Sequence, residues 1–224
     1  MKDREEETRA TLEPAPRALS QMAYDQLLDR LIKREIPVGA VLQERRLAES
    51  LDISRTPVRE ALNRLESEGF VTRKPGRVLV VKEFSTRELI ETLHVRQIME
   101  SEAISLAAPR IPPGELDAVE ADIHALLAQQ NPSAEDDWQV DSALHRMIAH
   151  HSGNGVLAGM IENLRVKTYT FNLDRMPERF EIGHREHLVM IDALRRRDRE
   201  GARAAIQQHI ENVKHSIILK LSSI

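Results

Sequence analysis

The stretch from Glu44 to Val81 constrains this chain most. Two short amphipathic runs, Glu44 to Leu51 and Arg55 to Glu68, are separated only by Asp52, Ile53 and Ser54. Leu47, Ala48 and Leu51 share one helical face in the first run, and Val58, Ala61, Leu62 and Leu65 share one in the second. Ser54 stands where an N-cap is needed, Pro57 falls in the first turn where a missing N–H costs little, and Gly69 ends the helix. Two β-type runs follow, Phe70 to Arg73 and Val78 to Val81, on either side of Lys74, Pro75, Gly76 and Arg77, a hairpin signal. Upstream, Tyr24, Leu27, Leu28 and Leu31 recur at helical spacing from near Ser20, and Pro37 and Gly39 are expected to stop that helix. Helix, tight turn, helix and basic hairpin predict a winged helix-turn-helix over residues 18–82.

Arg55, Arg59 and Asn63 are four residues apart on the face of the second short helix opposite its leucines. Arginine bonds guanine bidentately and asparagine bonds adenine, while Thr56 is placed to reach a phosphate. A basic face alone is as often an ordinary solvated one. Its position between a helix-turn and a basic hairpin favours the major groove. The whole-chain charge of −4 hides an asymmetry: residues 18–82 carry 12 Lys+Arg against 9 Asp+Glu, and residues 83–224 carry 16 against 22.

The run from Pro37, Val38 and Gly39 through Leu47, Ala48 and Glu49 to SRTPVREALNRLESEG (Ser54 to Gly69) resembles the DNA-binding domain of the GntR family over nearly all of residues 20–82. The resemblance implies that Arg45, the pair Arg55 and Arg59, and the wing-tip Gly76 contact operator DNA. With Thr56, Asn63 and Arg77 they make the expected DNA-binding set.

After a connector at 83–86, residues 87–224 are predicted to form an all-helical domain. Six helices are expected at about 87–108, 114–130, 134–151, 155–173, 180–197 and 199–222, punctuated by Pro112, Pro113 and Gly114, by Asn131 and Pro132, by Ser152 to Asn154, and by Pro177. No fixed-period repeat is present, which favours a compact bundle over a solenoid. The expected fold is mainly α, a winged helix-turn-helix followed by an all-α bundle. Residues 1–17 are expected to be a disordered tail, with Arg17 within reach of DNA. Their charged composition is unlike a signal peptide, and no apolar run reaches membrane-spanning length, so a cytoplasmic, non-membrane protein is expected.

Cysteine is absent, so any metal must be held by histidine and carboxylate. Asp141 and His145 are four apart on a face shared with Leu144 and Ile148. His187 lies beside Leu188 and Ile191, and His209 is in line with Ala202, Ile206, Val213 and Ile217. Three imidazoles and a carboxylate converging from three helices would suit zinc or another divalent transition metal. By spacing alone, hydrogen-bonded core histidines are the commoner outcome, and His184 rivals His187.

The run DSALHRMIAHHSGN (Asp141 to Asn154), followed by Glu186 and His187 and then His209, resembles the FCD effector domain of the FadR subfamily of GntR regulators. That resemblance implies Asp141, His145, His187 and His209 as ligands of one divalent ion, with zinc first and nickel or manganese as alternatives. Leu144 departs from a common phenylalanine, a change in packing rather than ligation, and six helices point to the VanR-like branch. Arg96 occupies a position where family members carry an arginine near the ligand cavity; a surface ion pair with Glu100 is the competing assignment. A metal beside a guanidinium fork selects small carboxylates. The implied protein is a homodimeric repressor of a palindromic operator, controlled by a small carboxylic acid. A metal-dependent hydrolase is the rival class, but no general base or catalytic signature accompanies the ligands, and no enzyme is expected.

Overall fold

The computed structural model describes residues 16–171 and 177–222. The chain divides after Lys82 into two compact units. The first holds α1 (Pro16–Ile32), α2 (Glu44–Leu51), α3 (Arg55–Ser67), β1 (Val71–Lys74) and β2 (Val78–Val81). Residues 1–15 lie outside the described residues. Pro16 and Arg17, expected in the disordered tail, instead open α1, because a first helical position does not use the amide hydrogen that proline lacks.

α1 packs on α3 and buries Ala23, Tyr24, Leu27 and Leu31 beside Val58, Leu62 and Leu65. It stops at Ile32, earlier than Pro37 and Gly39 suggest, because Arg34 turns the chain with a left-handed backbone (φ 59°). Pro37 sits in the next turn, where the Ala40 N–H donates to its carbonyl at 3.1 Å. Val41 then bridges Val80, and the Leu42 N–H donates to the Leu79 carbonyl at 2.8 Å, so the wing is backed by a third extended segment.

Ser54 stands at the N-cap of α3 but its side chain makes no capping bond. The capping hydroxyl normally accepts from the second or third helical N–H, and the third residue here is Pro57, which has none. Gly69 follows the C-cap with φ 83°. β1 and β2 pair antiparallel with Val71 opposite Val81 and Lys74 opposite Val78, so β1 runs one residue later than the sequence suggests. The tip is Pro75, Gly76 and Arg77, with φ 81° at Gly76 and 61° at Arg77.

The second unit holds α4 (Thr86–Ala107), α5 (Pro113–Leu127), α6 (Ala134–His151), α7 (Gly155–Phe171), α8 (Pro177–Arg195) and α9 (Arg199–Ser222). α5 ends three residues early, and Pro177 opens α8 rather than preceding it. Capping boxes fix two of the starts, Ser85 with Glu88 on α4 and Ser133 with Asp136 on α6. The core is aliphatic, with Leu93, Ile104, Ile123, Leu144, Ile148, Ile161, Met190 and Ile206 essentially excluded from solvent. α4 and α9 pack side by side and antiparallel: the Gln97 amide donates to the Gln207 carbonyl at 3.0 Å, and Arg203 pairs with Glu102 at 2.7 Å. Among the described residues no helix is long and apolar enough to cross a membrane.

Candidate functional site

In the first unit, the amphipathic pattern of α3 turns Val58, Ala61, Leu62 and Leu65 inward and leaves Arg55, Thr56, Arg59 and Asn63 exposed. Arg45, Gly76 and Arg77 are exposed as well. Both α3 arginines are tethered to Glu44, the first residue of α2. Arg59 donates to its two carboxylate oxygens at 3.0 and 2.8 Å, and Arg55 reaches it at 3.5 Å. Asn63 accepts from Arg73 of the wing at 3.1 Å, and Arg73 also donates to Glu66 at 2.9 Å. Arg45 pairs with Glu49 at 3.2 Å. Sequence reasoning missed Glu44 and Arg73, whose roles depend on how α2, α3 and the wing pack together.

In the second unit, α6, α8 and α9 bring Asp141, His145, His187 and His209 together so that one ligand atom from each lies within 4.8 Å of the others. His187, not His184, belongs to this cluster; His184 faces Asp137 at 2.8 Å. Carboxylates stand behind two of the imidazoles. Glu100 lies 2.6 Å from His145 Nδ1, and Glu186 lies 2.8 Å from His209 Nδ1. An ionised carboxylate only accepts, so both Nδ1 atoms carry the proton and both Nε2 lone pairs are bare. His145 Nε2 is 3.3 Å from His187 Nε2, which is 3.5 Å from Asp141. His187 Nδ1 is buried without a hydrogen-bond partner.

This arrangement fits a cation. Acceptors are crowded face to face, and a single proton on His187 could relieve only part of the crowding. Neighbouring ligand atoms about 2.0–2.2 Å from a shared ion stand about 3.0–3.5 Å apart, the range of the two shorter separations.

The charges are held in place for such a role. Burial opposes ionisation of Asp141, but Arg165, which hydrogen-bonds it directly, and the three histidines keep its carboxyl well below the usual range. Burial likewise opposes ionisation of Glu100, and Arg96, His145 and Arg165 outweigh it. Glu186 is brought down to about 2 against its own burial by hydrogen bonds from His209, Arg179 and Asn212. Burial, reinforced by the Arg165 charge, pulls His145 down to about 4 despite Glu100. Burial, reinforced by His209, takes His187 well below 6.5 as well. Both imidazoles are therefore neutral near pH 7, as a metal ligand must be.

A cavity of about 580 Å³ opens beside the cluster, lined by Asp141, His187 and His209 together with Arg96, Arg165 and Thr168. Arg96 forms the ion pair with Glu100 foreseen as the competing assignment, at 2.8 Å, but that pair is buried rather than on the surface. Its other end donates to Thr168 at 2.8 Å, and the same residue faces the cavity. Sequence reasoning missed Arg165. Its signal was a charged residue in line with Ala158 and Ile161 on an apolar helix stripe. Glu186 was noticed only as the neighbour of His187, because its bond to His209 crosses from α8 to α9.

A winged helix-turn-helix followed by a helical domain enclosing a ligand-sized cavity defines a DNA-binding transcriptional regulator. Residues 19–81 match the bacterial regulatory proteins of the gntR family, and residues 91–212 match the FCD domain. The chain belongs to the GntR family, in its FCD-bearing FadR subfamily, and is not an enzyme. It is similar to the HTH-type transcriptional regulator McbR of Escherichia coli, at 30% identity over 188 residues covering 79% of this chain and 85% of McbR. The transcriptional repressor RspR of Escherichia coli is 26% identical over 204 residues, covering 86% and 88%. The solved structure of Escherichia coli McbR/YncC superposes with a TM-score of 0.78 at 27% identity, covering 91% of this chain and 98% of that one.

Proposed function

We propose that this protein is a homodimeric repressor whose hold on a palindromic operator is controlled by a small carboxylic acid bound at a divalent-metal centre in the helical domain. The reading rests above all on the convergence of Asp141, His145, His187 and His209, with Glu100 and Glu186 fixing two imidazoles so that bare Nε2 atoms face a common point. When bound, a divalent ion, with zinc first and nickel or manganese as alternatives, supplies Lewis-acid coordination for a carboxylate oxygen. The chain's own residues do the rest. Asp141, His145, His187 and His209 tie three helices together, Arg165 orients Asp141, and Arg96 offers a guanidinium to the acid.

On the DNA side, Arg55, Thr56, Arg59 and Asn63 of α3 are proposed to enter the major groove. Arg45 and the wing tip Gly76 and Arg77 are proposed to hold the backbone. Repression is supported by RspR, which is a repressor. Because coupling between sites is reciprocal, an acid that binds the DNA-free form more tightly weakens operator binding by the same factor.

The test is elemental analysis of protein purified without a histidine tag. One divalent ion per protomer in the wild type, lost in the Asp141→Ala/His209→Ala double variant, is the expected result. No stoichiometric ion in either protein overturns the metal reading.

A further inference from the structure

We propose that the effector is a monocarboxylic acid with an apolar, preferentially aryl, tail, and that Leu89, Leu93, Trp138, Tyr169, Val213 and Ile217 form the tail compartment. This deepens the carboxylate reading above and rests on it.

All six residues line the cavity that opens beside the His/Asp cluster. Helical spacing shows how they are layered. On α4, Glu100 stands behind His145, and Arg96, Leu93 and Leu89 follow along the same face. Leu89 is seven residues from Arg96, about 10 Å along the helix. On α9, Val213 and Ile217 follow His209 at one and two turns, reaching about 12 Å. These two helices pack antiparallel, so Leu89 and Leu93 lie at the level of Val213 and Ile217.

The other pair of walls repeats the order. Trp138 lies one turn from Asp141 on α6, on the side away from His145, and Tyr169 lies one turn beyond Arg165 on α7. Their rings stack with centroids 4.0 Å apart, forming an aromatic wall. Four helices therefore leave the cluster in one direction, past Arg96 and Arg165 and then these apolar side chains, while Asn131, Ser133, Asp137, Arg179 and His184 add a polar edge to the same cavity.

Two consequences narrow the ligand. A polyhydroxylated acid would leave unpaired those of its hydroxyls that face Leu89, Leu93, Val213 and Ile217. The charges select the number of carboxylates. Counting guanidiniums and carboxylates alone, Arg96, Arg165 and Arg179 face Glu100, Asp141, Asp137 and Glu186, a deficit of one positive charge. A divalent ion turns that into an excess of one, which a single carboxylate cancels and a tricarboxylate overshoots.

Trp138 is the one tryptophan of the chain, so its emission reports on the compartment directly. Zinc-loaded full-length protein is titrated with acetate, butyrate, hexanoate, 3-phenylpropionate, gluconate and citrate, following heat of binding and Trp138 fluorescence. Affinity is expected to rise about threefold to fourfold per buried methylene. 3-Phenylpropionate should bind tightest and shift the Trp138 emission, while acetate leaves it unchanged. Val213→Thr, which keeps the shape of a half-buried side chain, should weaken 3-phenylpropionate at least threefold and leave acetate unchanged. Equal affinity across the chain-length series, or tighter binding of gluconate or citrate, overturns the tail assignment while leaving a metal-bound carboxylate intact. Loss of all acid binding in zinc-free protein, with 3-phenylpropanol still shifting Trp138, supports the compartment. Failure of every acid to bind metal-loaded protein overturns both readings.

Discussion

Replacing Glu100 by Gln removes one charge from the most enclosed part of the His/Asp site without changing its shape. One Glu100 oxygen lies 2.6 Å from His145 Nδ1 and the other accepts from Arg96 Nε at 2.8 Å. Both partners are donors, so the new amide NH2 must confront one of them. Turned toward His145, it forces Nδ1 to accept and moves the proton to Nε2, which removes the lone pair offered to a metal. Turned toward Arg96, it opposes donor to donor beside a guanidinium that is 7% exposed. Loss of such an outer carboxylate lowers metal affinity about 10–100-fold. Breaking a buried ion pair from one side costs about 3–5 kcal/mol. The lower end applies here because Thr168 still accepts from Arg96 and Arg165 keeps Asp141. Zinc affinity by chelator competition and denaturant unfolding of metal-free protein separate the two effects. A variant that binds zinc within twofold of wild type and unfolds at the same denaturant concentration would show that Glu100 neither sets the His145 tautomer nor anchors Arg96.

Glu44→Ala should cost less than about 1 kcal/mol of stability, because its ion pairs with Arg55 and Arg59 are exposed. It should nonetheless lower the ratio of specific to non-specific DNA binding about tenfold by freeing both guanidiniums; an unchanged ratio in competition binding counts against pre-orientation. Gly76→Ala meets open space apart from Val78 at 4.0 Å, so its cost is the left-handed backbone alone, about 1–2 kcal/mol, measurable by thermal unfolding and contradicted by a neutral result. Metal-free protein should lose stability as pH falls from 6.5 toward 4. His145 is lowered in the folded state to about 4 and His187 lies well below 6.5, so the unfolded chain binds these protons first. The slope reaches about 1.4 kcal/mol per pH unit for each histidine, and a flat profile over that window would sink the assignment.

The sequence made some parts of this molecule legible because the forces involved are local. α2 runs from Glu44 to Leu51 as its apolar spacing requires, and Gly69 closes α3 where a left-handed residue is needed. Misses arose where one residue overrides its neighbour or where partners are distant in sequence. Ser54 is a favourable capping residue, but Pro57 removes one of the two donors it could bind, and its side chain makes no capping bond. α1 ends through the backbone of Arg34, a residue type with no turn signature. The inward faces of α6, α8 and α9 were readable from their leucines and isoleucines, and so was the direction of the histidines on them. What holds those histidines was not. Glu100 reaches His145 across 45 residues of sequence and Glu186 reaches His209 across 23, and such contacts depend on helix packing.

The proposed control of the DNA-reading domain by a ligand in the helical domain is tested most directly by fluorescence anisotropy. A DNA fragment from upstream of the protein's own gene is titrated with zinc-loaded protein, with and without saturating 3-phenylpropionate. The acid should weaken binding by a factor of about 5–150 in the wild type and have no effect on the Asp141→Ala/His209→Ala variant. Calorimetric binding of the acid that leaves the wild-type DNA affinity unchanged would contradict that control.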